Sequence, residues 1–213
     1  MIESATGVIL RTRPLTETSL IVHWLTHDCG RIATVAKGAR RPKSPFLGKL
    51  DLFYVANFSF TRSRHSDLHT LREIGLRQTH DALRRDLDYL RQASYCAALV
   101  EQATETETPL PNVYELMIGL LGTLPLQAPQ PQSVFAFEIK LLADLGLQPD
   151  FTGSHLSAGA RSILQRLNQD DWESLARLRP TNAQVAELRQ FLNGYLVYHL
   201  GRVPKHRNAA IPG

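Results

Sequence analysis

The first 77 residues contain five short segments with strand character, and this pattern constrains the fold more than any other feature. The segments are rich in apolar, aromatic and β-branched residues, and they stop at turn signals such as Pro14 and Gly30. They span residues 6–13, 19–26, 31–37, 51–60 and 68–74. Five strands in so short a stretch predict a small closed barrel, because closure removes the exposed edges of the sheet.

The hydrophobic period changes near Thr79, where helical spacing replaces alternation. Predicted helices cover residues 81–102, 113–124, 135–145 and 161–168, and a last long helix follows Pro180. Thr181 and Gln184 fit a capping box at the start of that helix. Its predicted apolar face holds Val185, Leu188, Leu192 and Tyr195. The sequence therefore predicts an α+β chain with two domains, a β-barrel over residues 1–78 and a helical bundle over residues 79–213.

Basic residues are concentrated in the predicted barrel. The whole chain has a formal charge of +4, but residues 1–80 hold 12 Lys and Arg against 6 Asp and Glu. The remaining residues hold 12 basic and 14 acidic side chains, so they are slightly acidic and predict a poor general DNA surface. Such asymmetry indicates a polyanion-binding domain joined to a domain with another task.

A cationic segment without any acidic residue follows the third predicted strand. Its basic residues are Lys37, Arg40, Arg41, Lys43 and Lys49. Pro42 and Pro45 exclude a helix here, so we expect a stiff, extended loop. Such a loop can follow a phosphate backbone, although a solvated charged loop is the ordinary alternative. Arg11 and Arg13 share one face of the first strand and would add two cations to the barrel surface.

The fourth predicted strand is rich in aromatic residues, which are split between its two faces. One face would hold Leu52, Tyr54, Ala56, Phe58 and Phe60, and the other would hold Phe53 and Val55. Core packing is the expected role of most of these rings. An aromatic ring on the outer face could instead stack on an unpaired base.

Enzyme signatures and metal motifs do not match this sequence. Residues 38–44 superficially resemble a phosphate-binding loop, but Pro42 occupies the place of its second Gly. Cys29 and Cys96 are too few for a disulfide framework or a Cys-based zinc site, and the eight His are scattered. We therefore expect a protein that is not an enzyme and has no cofactor or bound metal.

The sequence shows neither a targeting signal nor a membrane-spanning segment. The N-terminus lacks the features of a signal peptide, and no apolar run approaches the roughly 20 residues that span a bilayer. These observations predict a soluble protein of the cytoplasm with no membrane partner.

Several segments together resemble the RecO family of bacterial recombination mediators. The hexapeptide VAKGAR over residues 35–40, preceded by two apolar strands and a Gly-Arg pair, resembles the N-terminal region of the family. The segments LGKLDLF and LHTLREI fall where the family has its fourth and fifth strands. Farther on, FEIKLLADLGLQP and the ending YHLGRVPKHR are similar to the helical domain of the family. The resemblance covers nearly the whole chain and is strongest over residues 7–76.

The resemblance implies an OB-fold barrel followed by a helical domain, and a non-catalytic function in DNA repair. Members of the family bind single- and double-stranded DNA and promote annealing in the RecFOR pathway. The resemblance also implies that the protein associates with the nucleoid. With RecR they load recombinase on strands coated by single-stranded DNA-binding protein. Many relatives carry a four-Cys zinc motif, but the equivalent residues 148–162 contain no Cys here. The alternative is an OB-fold protein that binds RNA or the ribosome.

The helical domain is expected to bind protein partners. Lys140, Lys205 and Arg207 read as isolated cations beside apolar helices, a combination that suits an acidic peptide with a hydrophobic end. The resemblance assigns this role to the tail of single-stranded DNA-binding protein. Ordinary solvated charges are the alternative for each of the three residues.

Overall fold

A computed structural model describes residues 1–149 and 156–211 of the chain. These residues form two compact units, of which the first comprises Met1–Asp81 and Thr104–Glu115 and the second Ala82–Ala103 and Leu116–Gly213. The predicted division at residue 78 places 104–115 in the helical domain, whereas the compact units group that segment with the strands. As a domain boundary, residue 78 stays a prediction.

The barrel unit is built from five strands that close on themselves. The strands are β1 (Ile2–Pro14), β2 (Leu20–Thr26), β3 (Gly30–Ala36), β4 (Val55–Thr61) and β5 (Leu68–Gln78). Their order around the barrel is β1-β2-β3-β5-β4, and β1 pairs with β4 to complete the circle. The β3–β5 pair is parallel and the other pairs are antiparallel. This arrangement is an OB-fold, as predicted.

Aromatic side chains fill the barrel interior. Trp24 of β2 stacks on Phe58 of β4 with ring centroids 4.0 Å apart. The Trp24 indole N–H donates a hydrogen bond to Thr34 Oγ1 at 2.9 Å, so its polar group is satisfied inside the core. Phe60 is fully buried beside them. Core packing of the β4 rings, the expected role for most of them, is therefore confirmed.

The predicted fourth strand begins too early, because residues 51–54 form a turn before β4. Phe53 adopts a left-handed conformation with φ of 64° and is completely buried. Its backbone N–H donates to Ile9 O at 2.8 Å, and Ile9 N–H donates to Tyr54 O at 3.0 Å. Local alternation would have placed Phe53 on the face opposite Phe58 and Phe60, but these long-range bonds hold it in a turn where its side chain is buried. Phe53 is therefore not a base-stacking candidate.

The connection that joins α1 (Leu87–Ala103) to α2 (Pro111–Thr123) is held against the barrel by hydrogen bonds and ion pairs within the first unit. Glu107 N–H donates to Arg31 O at 2.9 Å, and Arg31 Nε donates to Thr104 Oγ1 at 2.7 Å. Glu107 Oε1 lies 2.9 Å from Arg62 Nη1 and 2.8 Å from the buried His69 Nε2. These contacts explain why the segment belongs to the barrel unit. No periodicity in the sequence indicates these contacts.

The second unit is helical. It contains all of α1 and most of α2. Its other helices within the described residues are α3 (Pro131–Asp144), α4 (Ala158–Gln169), α5 (Trp172–Leu175), α6 (Asn182–Leu200) and α7 (Arg207–Ala210). Short 3-10 turns cover Asp81–Arg85 and Leu124–Leu126. Within the described ranges, no helix is long and apolar enough to cross a membrane.

The start of α6 agrees with the sequence. Thr181 Oγ1 accepts a hydrogen bond from Gln184 N–H at 3.3 Å, and Gln184 Oε1 accepts one from Thr181 N–H at 2.8 Å. The predicted capping box is therefore confirmed. The buried face of α6 is formed by Leu188, Leu192 and Leu196, whereas Val185 and Tyr195 are half-buried. The predicted apolar face is therefore confirmed at Leu188 and Leu192, and Leu196 completes it.

Candidate nucleic-acid interface

The cationic segment after β3 is a chain of tight turns. Backbone N–H groups donate to the carbonyl three residues earlier at Ala39, Arg41, Ser44, Leu47 and Lys49, with distances of 3.0–3.3 Å. The expectation of an extended loop is therefore wrong, since the prolines act as turn formers instead. Pro42 and Pro45 each stand second in a turn, where their fixed φ is favourable. Gly38 and Gly48 each stand third with φ of 68° and 72°, which suits glycine.

Two apolar side chains pin these turns to the barrel. Ala39 and Phe46 are each only 6% exposed and belong to the barrel core. The backbone is also tied to the β1–β2 connection, because Arg40 N–H donates to Thr18 O at 2.9 Å. Gly38 N–H donates to Ser19 Oγ at 3.3 Å. The segment therefore presents its cations from a backbone that is ordered before any ligand arrives, which lowers the entropic cost of binding.

The basic side chains of this segment point to solvent. Lys37, Arg40, Arg41 and Lys43 are exposed and Lys49 is half-buried. Among the described residues, these five form no ion pair. Their charges are thus not neutralised within the barrel and are available to a polyanion. Their assignment to phosphate contacts stays a prediction.

A groove of about 830 Å³ lies beside the turns. Its apolar lining comes from Ala5, Phe46, Phe58 and Ile74, which are core residues or pack against the core. Polar groups line it as well, namely Ser4, Thr6, Asn57 and Ser59. Of the cations predicted from the sequence, Lys49 lines this groove. The combination of an apolar lining, hydrogen-bonding groups and nearby cations can accept a polar chain with a charged backbone.

Two arginines of β5 also line the groove, and sequence reasoning missed both. In the β4–β5 pairing, Ser59 faces Glu73 and Phe60 faces Leu71, so Arg72 is the extra residue of a β-bulge. The same irregularity makes Arg77 the extra residue between two paired neighbours. Bulges redirect side chains. Arg72 and Arg77 are five positions apart and would lie on opposite faces of a regular strand, yet both reach the groove.

Acidic residues moderate the charge of the groove. Asp28 and Glu73 line it together with the three cations, so the local balance is only slightly positive. The Arg72 guanidinium is held in place, because its Nε donates to Thr61 Oγ1 at 2.8 Å. The strongly basic part of this surface is therefore the chain of turns at its edge.

Arg11 and Arg13 are exposed but do not line the groove. A bulge at Leu10 reverses the alternation of β1: Ile9 faces Trp24 in the core, and Arg11 faces His23 on the outer side. Burial lowers the pKa of His23 to about 4, and the nearby guanidinium groups of Arg11 and Arg13 contribute to this shift. The two arginines thus form a second cationic area with a His that stays neutral near pH 7. Their DNA-binding role stays a prediction.

Lys140 of α3 has a structural contact inside the helical unit. Its Nζ donates to Asn168 O and Asp170 O, both at 2.9 Å, and so satisfies carbonyls at the end of α4. Burial lowers the pKa of this ammonium group, although the neighbouring Asp170 acts in the opposite direction. Lys140 is therefore not an isolated cation. A role in partner binding stays a prediction for Lys140 and for the exposed Lys205.

Arg207 is also not an isolated cation, because it is buried in an ion pair. Its guanidinium binds Glu138 of α3 through two hydrogen bonds, Nε to Oε1 at 2.6 Å and Nη2 to Oε2 at 2.7 Å. Tyr95 of α1 donates its hydroxyl to the same carboxylate at 2.5 Å, and burial raises the pKa of that phenol well above its usual value. The expectation that Arg207 is an isolated surface cation is wrong, because its charge is neutralised inside the unit, which disfavours the predicted contact with a peptide.

Metal-binding groups do not cluster in the part of the chain that the structure describes. No group of three His, Cys, Asp or Glu is arranged to hold an ion within residues 1–149 and 156–211. Residues 150–155, within the Cys-free stretch 148–162, lie outside the described residues. Metal independence therefore stays a prediction.

The fold and the surface together define a class of protein. Its members have an OB-fold barrel, with a groove and exposed basic residues on its surface, followed by a helical unit. Known proteins give the same result. The family described as Recombination protein O N terminal matches residues 1–80. The family described as Recombination protein O C terminal matches residues 84–156 and 152–208.

Individual relatives agree with these matches. The DNA repair protein RecO of Anaeromyxobacter sp. (strain K) is 31% identical over an alignment that covers 92% of this chain and 91% of that protein. RecO of Bacillus subtilis is 31% identical over 70% of this chain and 58% of its own length. RecO of Rhodopirellula baltica is 33% identical over 67% of this chain and 53% of its own length. The chain belongs to the RecO family of DNA repair proteins.

Family membership confirms the recognition made from the VAKGAR segment and the flanking strands. It also agrees with the prediction that the protein is not an enzyme, since the relatives are named as DNA repair proteins and not as enzymes. DNA binding and recombination fit the family, whereas individual contacts with DNA and with protein partners remain to be assigned to surfaces.

Proposed function

We propose that this protein is a DNA repair mediator that binds single- and double-stranded DNA with its barrel and promotes annealing of complementary strands. The observation that carries the proposal is the chain of turns after β3. These turns hold five basic residues on an ordered backbone, next to a groove that Lys49, Arg72 and Arg77 line.

Phosphate contact is the role we propose for the turn cations. Their side chains project to solvent without an acidic partner among the described residues, so binding to phosphates replaces mobile counterions rather than an internal ion pair. Cations of this kind position a nucleic acid without reading its sequence. Binding of unrelated sequences with similar affinity is therefore expected, as annealing requires.

Partner binding is proposed for the helical unit. The resemblance to the family supports interaction with RecR and with the tail of single-stranded DNA-binding protein, and thereby an indirect role in recombinase loading. Lys140 and Lys205 are the proposed contacts for the acidic tail. We also propose that the protein acts in the cytoplasm, in association with the nucleoid.

The test is annealing and binding by the full chain. The double variant Arg40→Ala/Arg41→Ala should bind unrelated DNA sequences more weakly and to a similar degree. The slope of log affinity against log salt should fall by about 0.9 per lost contact on duplex and by about 0.7 on single strands. Annealing of two complementary labelled strands should slow in parallel.

The matched control is Arg91→Ala/Arg177→Ala. It removes the same charge from the helical unit, where Arg91 pairs with Asp88 and Arg177 pairs with Glu173 on the surface. Unchanged affinity, salt slope and annealing in Arg40→Ala/Arg41→Ala would refute the proposed role of the turns. A wild-type protein that prefers RNA of the same sequence and anneals no DNA would favour the RNA-binding alternative.

A further inference from the structure

Helix α6 carries an aromatic surface that the proposed function does not yet use. Tyr195, Tyr198 and His199 lie next to its buried leucines, near the end of the helix. Tyr198 is 82% exposed and the adjacent Val197 is 44% exposed. We call the three rings the α6 aromatic face. A tyrosine ring left this far in solvent offers no packing energy to the fold.

The rings form a contiguous group. The centroids of Tyr195 and His199 are 4.4 Å apart, and those of Tyr198 and His199 are 4.9 Å apart in an edge-to-face arrangement. Phe191 stacks on Tyr195 one turn earlier at 6.0 Å. Partial burial and the neighbouring Tyr198 raise the pKa of Tyr195, which agrees with their closeness. Rings that already pack against one another lose little side-chain conformational entropy when a further ring stacks on them.

The sequence around the aromatic face is basic. From residue 188 to residue 211 there is no acidic residue. Directly after the helix, Arg202, Lys205 and His206 are exposed. The last helical turn is thus followed by exposed cations, although residues 81–213 as a whole hold 12 basic and 14 acidic side chains. This local exception was hidden by the overall charge balance.

We propose that the α6 aromatic face stacks on unpaired bases of single-stranded DNA, while Arg202, directly after the helix, contacts its phosphates. This inference rests on the proposed DNA-binding function and extends it to a second surface. Exposed rings followed by cations are the chemistry of sequence-tolerant single-strand sites. An acidic peptide would also pair with the cation, but ion pairing alone does not need a group of stacked aromatic rings that face solvent.

A second surface suits annealing in particular. Duplex DNA hides its bases, so a stacking surface binds only unpaired strands and releases them as pairing proceeds. The barrel turns, by contrast, contact phosphates that both forms share. The α6 aromatic face therefore gives the full chain a preference for single strands that the turns alone do not supply.

The test measures binding of the full chain to short oligothymidylate, to an abasic oligonucleotide of equal length and to duplex DNA. Tyr198→Ala should weaken oligothymidylate binding about 5- to 150-fold, the value of one lost base stack. Tyr198→Phe should retain the affinity because it keeps the ring. Binding to the abasic strand and to the duplex should change in neither variant.

The control is Tyr89→Ala, which removes a tyrosine of α1 whose hydroxyl bonds Gln127 O, away from the α6 aromatic face. Oligothymidylate affinity that is equal in Tyr198→Ala and wild type would overturn the inference while leaving DNA binding by the turns intact. An equal loss on the abasic strand would overturn it too. Selective loss of acidic-peptide binding in Tyr198→Ala, with DNA affinity unchanged, would show that the face serves a protein. Failure of the wild type to bind any DNA would instead refute the proposed function itself.

Discussion

Replacing Arg207 with methionine would leave the Glu138 carboxylate without its counter-charge inside the helical unit. In the native protein the two side chains are 5% and 0% exposed and are joined by two hydrogen bonds of 2.6 and 2.7 Å. Removing one member of such a pair costs about 3–5 kcal/mol, because the remaining charge stays desolvated. The Tyr95 hydroxyl would still donate to Glu138 but cannot neutralise it.

Urea unfolding followed by the helical circular dichroism signal measures this cost. With a slope of about 1–3 kcal/mol per molar urea, the unfolding midpoint of Arg207→Met should fall by about 1 M or more.

The matched control replaces all three partners, in the variant Tyr95→Phe/Glu138→Leu/Arg207→Met. No buried charge or orphaned hydroxyl remains, so its stability should lie near or above that of the wild type. The reasoning would be refuted if Arg207→Met lost less than about 1 kcal/mol, which is the usual range of an exposed pair. It would also fail if the triple variant were as unstable as the single one.

Two further predictions concern the barrel. Gly30→Ala should destabilise it, because Gly30 has φ of 67° and an added Cβ would lie 2.0 Å from Thr108 O; the control Gly48→Ala has a similar φ of 72° but nothing within 4 Å of the Cβ. Thermal melting should place Gly30→Ala well below Gly48→Ala, which keeps only the backbone strain of about 1–3 kcal/mol, and equal melting temperatures would contradict the clash. His23 binds its proton more weakly when folded, with a pKa of about 4 against 6.5, so its contribution to stability is present above pH 6.5 and is lost as pH falls toward 4. His23→Gln should flatten the pH profile of the free energy of unfolding in this window, and an unchanged profile would argue against it.

The sequence by itself predicts those features that local chemistry controls. Alternation and turn residues locate five strands, and Thr181 with Gln184 marks the start of α6, because a cap bonds only to residues three positions away. The cationic segment is also evident, since charge is a property of composition. Its conformation is not evident, because proline excludes helix but allows both extended chain and successive turns.

Tertiary structure decided the features that depend on partners far away in the chain. Phe53 turns inward because its backbone bonds to Ile9, and bulges in the β4–β5 pairing bring Arg72 and Arg77 to one groove. The local sequence predicts that Arg207 is a surface cation, but in the structure its charge is paired with Glu138, 69 positions away. In each case the local sequence allows several orientations of the side chain. The burial of apolar groups and the satisfaction of polar ones across the whole unit select one of them.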